Sequence, residues 1–165
     1  MNTTQSINAE RRTHALATFS AVVASFDSAD ALNAAVRSPE LSIELLKECV
    51  RIVRAASSES FFDYRSRDAF VYLALSGRDN LSYAGFTELS GLSGERCYTQ
   101  YAIRCFELLG IATYNKAEKR FVFNFNNELY RSLYDCARYA LEDETLYSEK
   151  EKQHMLSVTN SGVVL

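Results

Sequence analysis

The chain has 165 residues and a formal net charge of −3 at pH 7, with 47% hydrophobic and 24% charged residues. This composition indicates a folded domain with a core of its own, not a disordered chain or a small scaffold held by metal or disulfides. No apolar run approaches the roughly 20 residues that a membrane span needs. The polar N-terminus does not resemble a secretory signal, so we expect a cytoplasmic protein.

Neither a metal site nor an enzyme active site is expected. The cysteines form no C-x-x-C pair and the two histidines lie near opposite ends of the chain, whereas zinc ligands recur at short spacings. We interpret the cysteines as small apolar residues in a reducing compartment. The sequence also lacks a glycine-rich phosphate loop, a G-x-S-x-G elbow and an H-E-x-x-H motif. We therefore predict no catalytic residue and no cofactor. The four cysteines are Cys49, Cys97, Cys105 and Cys136.

Residues 1–63 are predicted to be an N-terminal helical region. Apolar residues recur there at three- and four-residue spacing, which is typical of amphipathic helices, and Pro39 suits the start of the last of them. Such stripes need an apolar partner, either in this chain or in a second copy, so we expect this region to serve dimerisation. The stripes comprise Ala15, Leu16, Phe19, Val22, Val23 and Phe26, and then Leu41, Leu45, Leu46, Cys49, Val50 and Val53.

Serine and glycine divide the first part of residues 64–125 into three predicted helices. Serine is a favoured N-cap, and glycine ends helices because it tolerates a left-handed backbone. The second helix is short, YAGFTELS, and the third runs from about residue 95 to 109 without a breaker. The boundary residues of the three helices are, in order, Ser66 and Gly77, Ser82 and Gly91, and Ser93 and Gly110.

A β-hairpin is predicted after Gly110. The segments IATYN and RFVFNF flank a four-residue turn, KAEK. The second segment alternates, so that Phe121, Phe123 and Phe125 should face the core while the residues between them face solvent.

Residues 126–165 are predicted to form a C-terminal helix and a tail that frays from about Glu144. An apolar stripe, Leu129, Leu133, Cys136, Ala137 and Ala140, requires a partner surface. Because tyrosine is enriched at interfaces, the tyrosines of this region are a candidate contact for a protein partner. They are Tyr130, Tyr134, Tyr139 and Tyr147.

The segment FTELSGLSGERCYTQYAIRCFELLGIATYNKAEKRFVFN resembles the winged helix-turn-helix. In this resemblance ELSGLS corresponds to the end of the positioning helix and the turn, and FELLGI to the end of the recognition helix. MarR-like repressors and the DNA-binding modules of plasmid replication initiators share this layout. The resemblance implies a mainly α fold with a small β-hairpin, a winged helix-turn-helix core and flanking N- and C-terminal helices. It also implies a sequence-specific double-stranded DNA-binding protein.

The helix from 95 to 109 would be the reading element. At ~100° per residue, one side gathers the apolar residues and the other presents polar ones. Arginine can donate two hydrogen bonds to a guanine edge, glutamine can hydrogen-bond to adenine, and tyrosine can reach a phosphate group or a thymine methyl group. We expect Arg96, Gln100 and Arg104 to form one ridge with Tyr101 beside it. Ser93 and Thr99 are expected to contact phosphates near the N-terminus of the helix. A solvent-exposed helix face remains the alternative.

The wing adds a second basic point at Lys116, Lys119 and Arg120, which could follow the DNA backbone or the minor groove. Lysines also protect hairpin turns from aggregation, so this interpretation stays open. Residues 64–125 carry +2, with eight basic and six acidic residues, and the remainder therefore carries −5. Few phosphates would be neutralised per subunit, so we expect a homodimer on two half-sites, formed through the flanking helices, that acts as a transcriptional regulator such as a repressor.

Two other functions remain open at this point. One is a winged-helix module that binds protein and not DNA, which the acidic total and the tyrosines permit. The other is a plasmid or phage replication or partition factor. A third possibility is a ligand-responsive repressor with a pocket between the flanking helices and the core. No residue specifically supports it.

Overall fold

The computed structural model describes residues 10, 42–92 and 96–164, with side chains described for residues 10, 47–92 and 98–157. The first predicted apolar stripe, which runs from Ala15 to Phe26, lies outside the described residues, and so do Pro39 and Ser93. Within them the chain is mainly helical with a small sheet, as predicted. The elements are, in chain order, α1 (Ser42–Ala55), α2 (Ser58–Phe61), α3 (Arg67–Ser76), β1 (Asn80–Ser82), α4 (Tyr83–Ser90), α5 (Arg96–Leu108), β2 (Ala112–Asn115), β3 (Arg120–Phe123), α6 (Glu128–Glu142) and α7 (Glu149–Val164).

The sheet has three antiparallel strands in the order β1-β3-β2. Strands β2 and β3 form the predicted hairpin, with Tyr114 opposite Phe121. The prediction lacked β1, which pairs with the other edge of β3 so that Leu81 lies opposite Phe121. Strand β1 has three residues, which is too short for a pattern of alternating side chains. It is recognisable as a strand only from its pairing with β3.

Serine and glycine mark most helix boundaries as expected. The Ser82 hydroxyl accepts a hydrogen bond from Gly85 N at 3.0 Å and caps α4. Gly77 and Gly91 end α3 and α4 in the left-handed conformation, with φ of 72° and 73°. Ser66 occupies the predicted N-cap position of α3, but its side chain makes no capping hydrogen bond.

Phe106 of α5 lies at the centre of an aromatic cluster. Its ring centroid is 5.7 to 6.0 Å from those of four other phenylalanines, which belong to α3, α4 and β3. Because aromatic side chains bury large apolar areas, this cluster fixes α5 against the sheet. The neighbours of Phe106 are Phe70, Phe86, Phe121 and Phe123.

Phe125 does not join this core, although the alternation predicted that it would. The strand β3 ends at Phe123, and the side chain of Phe125 is 52% exposed. Its ring lies edge-on to Tyr134 of α6, at a centroid distance of 5.1 Å. The pleat that would have turned Phe125 inward ends with the strand.

The flanking helices pack on the central elements. Helix α1 contacts α5, α6 contacts α3, and α7 contacts α3, α4 and β1. The tail was predicted to fray, but it forms α7, with Met155 buried. Among the described helices, none has the length and apolar character that crossing a membrane requires.

Candidate nucleic-acid interface

Among residues 98–108 of helix α5, whose side chains the structure describes, a narrow strip is open to solvent. Its buried side includes Ala102, Cys105 and Phe106, each 0% exposed. Gln100, Arg104 and Glu107 are exposed, and their spacing of four and three residues places them on one face. The strip therefore contains two of the predicted reading residues and one carboxylate.

Arg96 is the first residue of α5. It stands four residues before Gln100, so the backbone places it on the same face as the exposed strip. Its side chain and all of Ser93 lie outside the described part of the structure. The predicted contacts of these two residues therefore stay predictions.

Thr99 is not available to a phosphate group. The residue is 0% exposed, and its hydroxyl has no hydrogen-bond partner among the described residues. This burial disfavours the predicted contact between Thr99 and DNA, and it arises because the buried arc of α5 is wider than the apolar residues alone suggested. The core lies behind this helix, and α1 covers one flank.

Tyr101 is half-buried at the edge of the strip. Its ring meets that of Tyr98 edge to face, with centroids 6.2 Å apart. The Arg65 guanidinium lies 4.4 Å from the centroid of the Tyr98 ring, a cation–π distance. The two tyrosines thus form the border between the exposed strip and the packed side of α5.

Glu107 connects α5 to the hairpin. One of its carboxylate oxygens accepts a hydrogen bond from Tyr114 N of β2 at 3.3 Å. Glu107 was not among the predicted site residues, although it stands seven positions after Gln100 and so falls on the same face of the helix. The side chain of Tyr114 has a raised pKa. Desolvation is the main cause, and the neighbouring Tyr83 adds to it, so the phenol stays neutral at ordinary pH.

Lys116 and Lys119 are exposed in the turn of the hairpin. Lys119 has a φ of 52°, in the left-handed region that closes such turns. Glu118 lies between them, and its backbone N donates to Asn115 Oδ1 at 3.0 Å. The tip therefore presents two lysines and one glutamate.

Arg120 is the first residue of β3, the central strand, and its side chain is bonded across the sheet to β1. Its guanidinium donates to Asn80 Oδ1 of β1 at 2.7 Å, and the side chain is half-buried. Arg120 connects two strands that lie 40 residues apart in sequence. This bond gives Arg120 a structural role, and its predicted contact with DNA, which the remaining guanidinium donors could make, stays a prediction.

The C-terminal tyrosines divide into two groups. Tyr130 and Tyr147 are buried, and the Tyr147 hydroxyl bonds the Asp68 carboxylate of α3. Tyr134 and Tyr139 are only half-buried. The predicted surface for a protein partner is therefore reduced to Tyr134 and Tyr139, together with the exposed Phe125.

Within the part of the chain that the structure describes, no group of three or more histidine, cysteine or acidic side chains could hold a metal ion. No protein-family model, no curated protein and no solved structure matches the chain.

Proposed function

We propose that the chain is a winged helix-turn-helix protein that binds double-stranded DNA, with α5 in the major groove. The observation that carries the proposal is the exposed strip of α5, where Gln100 and Arg104 stand one turn apart on a helix whose remaining sides are largely buried. Arginine and glutamine can each make two hydrogen bonds to a base edge. The order of three helices followed by a hairpin supports the same fold.

The hairpin supports a second contact. Lys116 and Lys119 are exposed at the turn that joins β2 and β3, and Glu107 connects α5 to β2 through Tyr114 N. A hydrogen bond thus joins α5 to β2, the strand that leads into the turn. The lysine side chains of the turn would bind phosphate groups beside the site that α5 reads, along the backbone or in the minor groove.

The small number of cations favours a dimer. Glu107 offsets the charge of Arg104 on the strip, so each chain neutralises few phosphates and a monomer would bind weakly. Two chains on two half-sites would double the contacts. Cys49, Ile52 and Val53 of α1 are buried within the chain, so a homodimer through the flanking helices would use other residues of these helices. We propose a cytoplasmic transcriptional regulator, which acts as a repressor where its site overlaps a promoter.

The proposal is tested by selecting genomic DNA fragments at low ionic strength and titrating the selected site. We expect an affinity that falls steeply as salt rises. Arg104→Ala and Gln100→Ala should each lose about 1–3 kcal/mol of specific binding. Arg138→Ala, which removes an exposed arginine of α6, is the control and should bind normally.

The hairpin residues supply a second comparison. Lys116→Ala should weaken all sequences alike and reduce the salt slope by about one unit, without loss of stability. Arg120→Ala should lower the melting temperature because it removes the bond to Asn80. If no fragment is retained at low ionic strength while circular dichroism shows a folded chain, the DNA-binding proposal fails.

A protein-binding module is the second candidate. Glu107 on the exposed strip disfavours phosphate, and Val122 and Phe125 are 45% and 52% exposed on the hairpin side. Exposed apolar groups of this kind occur at protein contacts. Phe125→Ser would then abolish partner capture, whereas it would leave DNA affinity unchanged if α5 reads DNA.

A further inference from the structure

A groove lies between α1 and the segment that contains α2, with a volume of about 650 Å³. This volume falls within the range of small-molecule sites, roughly 300–1,000 Å³. Most of the surface that lines the groove is apolar, and three of its seven lining residues carry a cationic group. The residues that define it are Lys47, Arg51, Arg54, Ser60, Asp63 and Tyr64.

The three cations come from one face of α1. Lys47, Arg51 and Arg54 are exposed and follow a four- and three-residue spacing, so they form one row. At about 1.5 Å rise per residue the row extends over roughly 10 Å. A single monovalent anion would engage only part of such a row, whereas a ligand with two or more anionic groups could engage all of it.

The row is held in place by a carboxylate beneath it. Glu48 is 9% exposed, and its Oε1 lies 3.6 Å from Arg51 Nε. This ion pair offsets only part of the cost of burying the acid. It orients Arg51, whose side chain stays 43% exposed. An arginine whose Nε is already occupied can still offer its terminal N–H groups to a phosphate.

The opposite wall differs in chemistry. Ser60 and Asp63 can accept hydrogen bonds, so they suit hydroxyl or amino groups of a ligand. Tyr64 and Val50 add apolar surface. A row of three cations opposite hydrogen-bond acceptors and a phenol ring therefore matches a ligand with a multiply charged end and an uncharged polar end.

The groove faces away from the reading helix. Cys49 contacts Cys105 of α5, and at ~100° per residue it lies on the opposite side of α1 from Lys47 and Arg54. A DNA duplex seated on α5 would not lie along this row. The groove is thus a site separate from the strip of α5.

We propose that this groove binds a small organic molecule that carries at least two phosphate groups. Arginine recognises phosphate through its planar fork of donors, and lysine adds a point charge. The inference does not depend on DNA binding, because it uses none of the residues assigned to that function.

The test measures binding of inorganic pyrophosphate, inorganic triphosphate and a nucleoside triphosphate to the full chain by calorimetry and by NMR chemical shifts. We expect one site per chain, with the nucleoside triphosphate the tightest of the three. Arg54→Gln and Lys47→Gln should each weaken binding about tenfold, the effect of one charge-assisted hydrogen bond. Arg138→Gln, with the same change in net charge, should bind like the wild type.

Equal weakening by Arg138→Gln would show a general charge effect and overturn the proposal, as would absence of binding by the folded wild type. The same three variants are titrated with double-stranded DNA. If Arg54→Gln reduces DNA affinity as strongly as Arg104→Ala, the groove belongs to the DNA surface and the proposal fails. If DNA binding is absent but the triphosphate binds in the groove, the site stands and the DNA-binding function does not.

Discussion

The thiols of Cys49 and Cys105 touch, with 3.4 Å between the two sulfur atoms. Both residues are buried, at 1% and 0% exposure, and they join α1 to α5 across 56 residues of sequence. Burial raises the pKa of the Cys105 thiol, and its contact with Cys49 adds to the effect. The pair is therefore a packing contact that holds α1 against α5.

This contact predicts coupling between two substitutions. Cys49→Ala and Cys105→Ala should each reduce the free energy of unfolding by about 1 kcal/mol, because each removes a buried sulfur atom. The double variant should lose less than the sum of the two, by about 0.5 kcal/mol or more, since both remove the same contact. Urea titration of the four proteins measures the cycle. If the losses of the two single variants add up to the loss of the double variant, the contact between Cys49 and Cys105 contributes no coupling energy.

Thr99→Val should leave stability unchanged or raise it. The Thr99 hydroxyl is buried without a hydrogen-bond partner among the described residues, and such a group carries a desolvation cost of about 1–3 kcal/mol. Valine has nearly the same shape and lacks the hydroxyl. Thermal unfolding measures the effect, and DNA titration should show no change. A loss of DNA affinity without a loss of stability would return Thr99 to the interface.

Gly110→Ala should be more destabilising than Gly77→Ala. Both glycines have a positive φ, 76° and 72°, and alanine in this conformation costs about 1–2 kcal/mol. A Cβ at Gly110 would also lie 2.9 Å from Asn127 Nδ2, whereas nothing lies within 4 Å of a Cβ at Gly77.

The additional cost arises because Asn127 is already engaged at both ends of its amide. Its Nδ2 donates to Leu109 O at 3.0 Å, and its Oδ1 accepts from Tyr130 N as the cap of α6. Displacing this side chain should remove roughly another 1 kcal/mol. Chemical denaturation of the two variants measures the difference, and equal losses would contradict this role of Asn127.

Glu48→Gln should stabilise the protein at neutral pH but not in acid. Burial raises the pKa of Glu48 above its ordinary value, and the nearby cations Arg51 and Arg65 lower it by less. The folded state therefore favours the protonated acid. Glu48 therefore contributes to folding stability at pH values below the ordinary glutamate pKa. This contribution is lost as the pH rises through the raised pKa that Glu48 has in the folded state.

Glutamine mimics the protonated form at every pH. The stability of Glu48→Gln relative to the wild type should therefore grow as pH rises from acid to neutral, as measured by melting temperature across that range. Glu144→Gln, at an exposed position, is the control and should show no such trend. A gain that is the same in acid and at neutral pH would contradict the assigned cause.

Much of the local structure could be read from short sequence patterns. Ser82 and Gly91 mark the ends of α4 because capping and positive φ depend on a few adjacent residues. The alternation at Phe121 and Phe123 predicted β3, since neighbouring side chains on a strand face opposite sides. Exposure of Gln100 and Arg104 likewise followed from helical periodicity alone.

The tertiary structure decided which of the predicted site residues remain available to contact a ligand. Thr99 is adjacent in sequence to Gln100, but packing on two sides of α5 buries it, and helical periodicity does not contain that second neighbour. Arg120 is bound to Asn80 of a strand that exists only because it pairs with β3. The row at Lys47, Arg51 and Arg54 became a groove only when α2 folded against it. Local sequence determines caps, turns and helix faces because their interactions span a few residues, whereas burial and pairing depend on contacts between segments far apart in the chain.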